Sequence, residues 1–492
     1  MTATVTVDVG TTGVKLCVFA EDGAVLASDS HPTPTRRDAW GEVYDLPALF
    51  ELLEVFVGGL GATLRAEVRR IAFAGTGESG GLVREDISLA SPMILWHDHR
   101  GADYLATLRP QDRSLIYRVT GLPANANYGI SKAAWAHEHA VDADGALWMN
   151  LAEYMAASFT GQRWSEWSLA SRTLALDLRT RTWSDAVCAL FGLSVADFPE
   201  IRPASYGAPL LEHVAAELGL HPETHVHVAG HDHMVGAVAA ELSRGEVLNS
   251  TGTTEGILVL QERASLEKTF EESKLANGIA CTAESNTLFA SIPTGGSAFA
   301  TLQSLTNLSE SDLIALMDEL LEDYLGGRIE LELIPVVVPQ FRGAPPPTKN
   351  ALARGLIAGV HSDTSERDLV FATFLGLVMQ FADVLDLFGI EPRLVKVIGP
   401  ASRNRLWMQL KADFLGVSLA ASRFPEVVSR GAQLLATQRT VSWSDLQPFH
   451  IEPDAHRHQA LASWARRHRP VWNHLLATPV VSEPAPLLRR VT

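Results

Sequence analysis

The sequence predicts an α/β protein of two domains. Three observations carry that prediction: the length of the chain, the alternation of short apolar strands with helical stretches, and a Gly-Thr-Thr turn that occurs once near the start of each half. At 492 residues the chain exceeds the roughly 250 to 300 at which one hydrophobic core stops growing. Strands alternating with helices make an α/β class, and a repeated hairpin is what a duplicated domain would leave behind.

The elements follow in order. Residues 4–8 alternate polar and apolar side chains, Gly10-Thr11-Thr12-Gly13 forms a turn, and residues 14–19 and 24–28 are divided by Asp22-Gly23. This pattern predicts three antiparallel strands. Residues 46–70 read as helical, and 71–75 and 226–229 as short buried strands. The design recurs where residues 246–250 run into Thr251-Gly252-Thr253-Thr254 and then into the apolar strand 256–260. A helix over 368–388, a buried strand over 394–398 and a helix over 402–415 with Ser402 as its N-cap come next. Residues 339–350, with Gly343 and three consecutive prolines, read as a loop, and a last helix covers 459–476. The second hairpin places the boundary near residue 242, giving domains of 1–241 and 242–478 and a loosely held tail over 479–492.

Composition narrows the function. Hydrophobic residues make up 47% and charged residues 20%, a globular profile. The net charge of -17 repels phosphate backbones and anionic lipid at long range, which argues against nucleic-acid and membrane partners. Cys17, Cys188 and Cys281 form no CxxC pair, so neither a disulfide framework nor a thiolate zinc site is expected, and a cytoplasmic location is. The N-terminus opens on a strand rather than a basic region and apolar run, and no uninterrupted apolar segment reads as long enough to span a bilayer.

Two aspartates carry the chemistry. Asp8 ends a strand beside a turn rich in N–H groups and hydroxyls, with Lys15 on the return strand. Such a turn cradles phosphate while the carboxylate holds Mg2+; the plain alternative is an Asp that satisfies its own turn. Two such hairpins, one per half, would grip a polyphosphate from both sides of a cleft. Asp232, in Gly230-His231-Asp232-His233, follows a buried strand and heads a helical run, where open α/β sheets present functional groups. It is the candidate general base for phosphoryl transfer to an alcohol, which needs positioning, charge neutralisation and a proton acceptor. Its plain alternative is a helix N-cap.

Other patterns are weaker. His97-Asp98-His99 and His231-Asp232-His233 bracket carboxylates with imidazoles as a metallohydrolase would, but no HExxH pair completes a site. Gly75-Thr76-Gly77-Glu78-Ser79-Gly80 matches the GxGxxG dinucleotide pattern, yet residues 81–83 look extended where that fingerprint opens a helix. A glycine-rich bend exposing Glu78 and Ser79 to a cleft fits better. No Walker A pattern occurs.

These segments together resemble the FGGY family of carbohydrate kinases along nearly the whole chain. Asp8-Val9-Gly10-Thr11-Thr12-Gly13-Val14-Lys15 is similar to the family's first phosphate motif, and Trp40-Gly41-Glu42-Val43-Tyr44-Asp45 and Pro92-Met93-Ile94-Leu95-Trp96-His97-Asp98-His99-Arg100 to its next two segments. Gly230-His231-Asp232 resembles the catalytic-aspartate motif, Thr251-Gly252-Thr253-Thr254 the second phosphate motif, Gly295-Gly296 a glycine pair near the nucleotide, and residues 394–416 the adenosine motif, with Gly399, Ala401 and Asn404 on the nucleotide side. The chain departs from the family at Gly399-Pro400-Ala401, where a run of glycines is usual, and at Glu78 and Ser79, where xylulokinase-like members carry Met-His and glycerol-kinase-like members Arg-Glu.

The resemblance implies two actin-like, ribonuclease-H-like domains around an interdomain active-site cleft, with ATP and Mg2+ as cofactors. It implies Asp232 as general base and, with Asp8, metal ligand, and Gly10, Thr11, Thr12, Lys15, Gly252, Thr253 and Thr254 around the phosphates. Glu78, Ser79, Trp96, Asp98, Arg100 and Asp232 would line the acceptor pocket, since carboxylates and guanidinium bind vicinal hydroxyls while an aromatic covers a C–H face. A sugar or polyol is the expected partner, most simply a ketopentose such as xylulose. Relatives in the family are often dimers, so a homodimer is an expectation too. The rival from another class is a non-catalytic regulatory relative that keeps the fold.

Overall fold

A computed structural model describes residues 2–440 and 442–478; the tail expected over 479–492 lies outside them. Two sheets organise the chain, and they share one plan. In the first, Ala3–Val9 pairs antiparallel with Gly13–Ala20, which pairs antiparallel with Val25–Pro32. On its other side Ala3–Val9 runs parallel to Val68–Gly75, which runs parallel to His225–His231, and Gly207–Pro209 closes the edge. In the second, Glu246–Thr251 pairs antiparallel with Glu255–Gln261, and that with Asn286–Ile292. Leu394–Ile398 lies parallel to Glu246–Thr251, and Leu419–Ala421 parallel to Leu394–Ile398. Three antiparallel strands followed by two parallel ones, twice, is the architecture the duplicated hairpin predicts.

Each sheet has its own core. Val5, Val7, Leu16, Val18, Ile71, Phe73, Val226 and Val228 pack with Leu49, Leu53 and Val57 of helix Leu46–Gly59. Val247, Ile257, Val395 and Val397 pack with Phe371, Leu375, Val378 and Phe381 of helix Glu366–Asp386. By length and mean hydropathy that helix could cross a membrane, though Thr373, Gln380 and Asp383 interrupt its apolar run, and its apolar window is 83% buried. Cys17, Cys188 and Cys281 are unpaired and buried.

Two boundaries differ from expectation. The helical stretch expected over 46–70 stops at Gly59, resumes over Ala62–Glu67 and gives way to strand at Val68, because Gly58, Gly59 and Gly61 interrupt it. Ser402 is not an N-cap. It lies in a 3-10 turn, Pro400–Arg403, donating Oγ to the Gly399 carbonyl at 2.7 Å, and helix Arg405–Leu415 is capped by Asn404, whose Oδ1 accepts from Trp407 N at 3.0 Å.

Candidate active site

Three parallel strands of the first sheet end side by side, with Val9 opposite Gly75 and Gly75 opposite His231. The carboxyl ends of parallel strands are where α/β sheets open to ligands. Here they bring Asp8, the turn Thr76-Gly77-Glu78-Ser79 and Asp232 together. Gly77 is needed for this approach, since a Cβ there would lie 2.5 Å from His231 Cδ2 and 2.9 Å from Arg172 Cγ.

Asp8 is 7% exposed, and its Oδ1 is buried with no hydrogen-bond partner. Burial, then the charge of Asp232, pushes its carboxyl up to about 7. Asp232 is the first residue of helix Asp232–Ala239, so it is not the N-cap; His231 is, without a side-chain cap bond. The Asp232 carboxylate accepts from His233 N at 2.6 Å, approaches His231 Nε2 at 3.3 Å, and keeps 23% of its side chain open to solvent. Desolvation in this recess raises its pKa, with Glu78 adding to the rise and His233 opposing it. His231 is held well below its ordinary pKa, first by burial and then by Arg172.

The two hairpins stand at the strand ends. Thr12 and Thr253 are exposed at their tips. Thr11 Oγ1 accepts from the half-buried Trp96 Nε1 at 2.9 Å, and Gly10 O accepts from Thr33 Oγ1 at 2.8 Å. Gly252 and Thr253 offer their carbonyls to Gly296 N at 2.8 Å and Gly295 N at 3.1 Å. Ala401 packs beside Gly296, and Gly399, at φ 98°, lies against Thr251. The second half also reaches Asp232 through Ser250 Oγ, 2.8 Å from His233 Nδ1.

Profiles of the FGGY family of carbohydrate kinases match the chain over residues 3–239 with the N-terminal domain and over 247–438 with the C-terminal domain. The chain belongs to the FGGY family of carbohydrate kinases. It is 27% identical over 473 residues to a glycerol kinase of Nocardia farcinica, a match covering 89% of this chain and 90% of the relative. Solved structures of a xylulose kinase and a gluconate kinase, both from Lactobacillus acidophilus, superpose with a TM-score of 0.85 at 17% identity, covering 97% of this chain and 99% of each. At that identity they show the fold: two actin-like domains. Family membership makes this chain a carbohydrate kinase with ATP as phosphate donor, and nothing supports the non-catalytic rival.

Several expected site residues are engaged by other parts of the chain. Arg100 binds Asp98 at 2.7 and 3.0 Å and Asp38 at 2.9 Å, while Asp98 also accepts from Glu42 N at 3.0 Å. The cluster fastens residues 38–42 to residues 96–100, and Asp98 and Arg100 line a cavity of about 490 Å³ with Trp40, Glu42, His97 and Trp135. Ser79 is fully buried, its Oγ shared among Tyr44 OH, Thr76 Oγ1 and Trp96 N, so it positions Trp96 rather than facing an acceptor. Asn404 has its amide on Trp407 N and Met317 Sδ. Lys15 is paired with Glu426 at 3.0 Å. Among the described residues neither cluster gathers three or more His, Cys, Asp or Glu side chains around one metal position: His97 faces Glu42, His99 faces Asn127 and His233 Nδ1 meets Ser250 Oγ.

Two residues escaped the sequence reading. Arg172 binds Glu78 Oε1 through Nε at 2.8 Å and through Nη2, and its guanidinium lies 5.1 Å from the Tyr128 ring and 5.6 Å from Phe289. The signal available was a lone cation in the uncharged run 168–176. Lys349, half-buried in the loop of the second half, feels the charges of Arg172 and Glu78; nothing local marks it.

Proposed function

We propose that this kinase transfers the γ-phosphoryl group of ATP to a primary hydroxyl of a sugar or polyol, with Asp232 as general base. The observation that carries the reading is the pair of electrostatically coupled aspartates, Asp8 and Asp232, at the ends of the two parallel strands that flank Val68–Gly75, with a Gly-Thr-Thr hairpin in each half. Asp232 accepts the hydroxyl proton as the O–Pγ bond forms and the bond from Pγ to the β-bridging oxygen breaks, giving a phosphomonoester, ADP and one proton. Neutral His231 and the His233 amide hold the Asp232 carboxylate in place. Thr11, Thr12, Thr253 and Thr254, with the turn amides, bind the phosphates.

The residues fit Mg2+: Asp8 has an orphaned, buried oxygen and feels the charge of a second carboxylate, Asp232, a repulsion that a divalent cation relieves. Asp8 and Asp232 would hold it, and when bound it neutralises charge on the polyphosphate. Glu78, Arg172 and Trp96 line the acceptor side. A ketopentose such as xylulose is the acceptor favoured by the sequence resemblance. Coupled ADP release tests the reading: Asp232→Asn should lower kcat by about 10² to 10⁴ with an unchanged melting temperature. Full activity in that variant removes Asp232 as the base.

A further inference from the structure

Trp96 is half-buried and held at both ends. Its backbone N–H donates to Ser79 Oγ at 3.0 Å, and its indole Nε1 donates to Thr11 Oγ1 at 2.9 Å, 85 residues away in the chain. The first bond reaches the glycine-rich bend that carries Glu78. The second reaches the first Gly-Thr-Thr hairpin, so one side chain bridges the acceptor side and the phosphate side.

Chemistry fixes the polarity of these bonds. An indole N–H and a backbone N–H can only donate, so Ser79 and Thr11 both accept from Trp96. Ser79 Oγ still has partners for its own proton, Thr76 Oγ1 at 2.9 Å and Tyr44 OH at 3.2 Å, and all three residues are buried. Thr11 has no such outlet, since no described residue accepts its hydroxyl proton. The rest of the turn is already placed, with Thr33 Oγ1 donating to Gly10 O at 2.8 Å and Gly10 N to Gly13 O at 3.0 Å. Thr11 is thus a donor of one proton, and the indole N–H on its oxygen limits the directions in which that proton can point.

That proton is left for a ligand oxygen. Thr11 stands one hydrogen bond from the acceptor wall, so the phosphate it meets is the one nearest the acceptor, which in-line transfer requires to be the γ-phosphoryl group. Given the phosphoryl-transfer reading above, on which this inference rests, we propose that Trp96 is a positioning residue shared by both substrates: its ring lines the acceptor side while its N–H turns the Thr11 hydroxyl proton toward the γ-phosphoryl group. The bond from Ser79 to the Trp96 backbone then keeps the bend carrying Glu78 and the phosphate hairpin at one spacing.

Calorimetric titration with the Mg2+ complexes of ADP and of the β,γ-imido analogue of ATP tests this without any acceptor. Trp96→Phe keeps an aromatic ring but loses the N–H, so water takes its place on Thr11 and the hydroxyl is free to rotate. It should weaken the imido analogue about fivefold, the worth of one ordinary hydrogen bond, and leave ADP within about twofold. In a Thr11→Val background Trp96→Phe should weaken the analogue no further, since both changes remove the same contact, and Thr11→Ser, which keeps the hydroxyl, should bind like the wild type. An unchanged affinity for the analogue in Trp96→Phe, an equal loss of both nucleotides, or additive losses in the double variant would make Trp96 a support of the hairpin alone and overturn the inference with the kinase reading intact; Trp96→Leu serves should Trp96→Phe not fold. An equal loss of both nucleotides in Thr11→Val, which needs no change at Trp96, overturns it as well. A wild type that binds neither nucleotide overturns the phosphoryl-transfer reading itself, and this inference with it.

Discussion

The two Gly-Thr-Thr hairpins match in letters and in strand plan but not in how they are held. The first, at residues 10–13, is steadied by side chains: Trp96 Nε1 on Thr11, Thr33 on Gly10, and Lys15 on Glu426 with 36% and 21% of their side chains exposed. The second, at residues 251–254, is locked by backbone. Gly295, Gly296 and Ser297 donate to its carbonyls, and Glu255, next in the chain, pairs with Lys411 at 2.5 Å where both side chains are 0% exposed. A turn sequence therefore sets local geometry, while the surroundings decide whether that turn is an adjustable edge or part of a core.

The largest effect that would sharpen this contrast is at Lys411. Its ammonium also donates to Asn249 Oδ1 at 2.7 Å and lies 4.2 Å from the Phe381 ring and 4.7 Å from Trp407. Removing it leaves the Glu255 carboxylate buried and unbalanced, which costs about 3 to 5 kcal/mol. Lys411→Met should lower the melting temperature by roughly 10 °C, read by calorimetry. The double variant Lys411→Met/Glu255→Leu should recover most of the loss, since removing both charges leaves none to solvate.

A smaller effect separates Gly399, which packs against Thr251 of the second hairpin, from Gly13 of the first. At Gly399 a Cβ would stand 2.3 Å from Thr251 O at φ 98°, whereas at Gly13 the nearest atom is 3.6 Å away. Gly399→Ala should cost about 1 to 3 kcal/mol from backbone strain alone and raise KM for ATP; Gly13→Ala should cost less than about 1 kcal/mol. Equal effects on KM would break the contrast.

The legible part of this molecule was its repeated local pattern. Strand alternation, the Thr-rich turns and Asp232 after a buried strand are all signals within a few residues, and the sheets and the carboxylate pair stand where those signals put them. Pairings between distant segments were not legible. Asp98 and Arg100 look like pocket residues by type and do line a cavity, but the Asp38 carboxylate that also holds Arg100 comes from 62 residues away. Glu78 was visible in the glycine-rich bend, but Arg172, 94 residues away, meets it only through the packing of helix Trp167–Ala170 beneath the strand ending at His231. Asn404 and Ser402 compete for one cap, and the 3-10 turn begun by Pro400 decides in favour of Asn404.

The smallest expected effect on stability is at Lys15, where the hairpins differ most in freedom. Its partner Glu426 belongs to the second half, so the pair ties the two halves at a partly solvated edge. Such pairs contribute about 0 to 1 kcal/mol and weaken with salt, so Lys15→Met should shift the melting temperature by less than about 3 °C. Its ammonium also senses the Asp8 charge at the same hairpin. KM for ATP should therefore rise about tenfold in Lys15→Met, the worth of roughly 1.4 kcal/mol, with little change in kcat. An unchanged KM would make Lys15 an interdomain tie alone and leave phosphate binding at the first hairpin to Thr11, Thr12 and the turn amides.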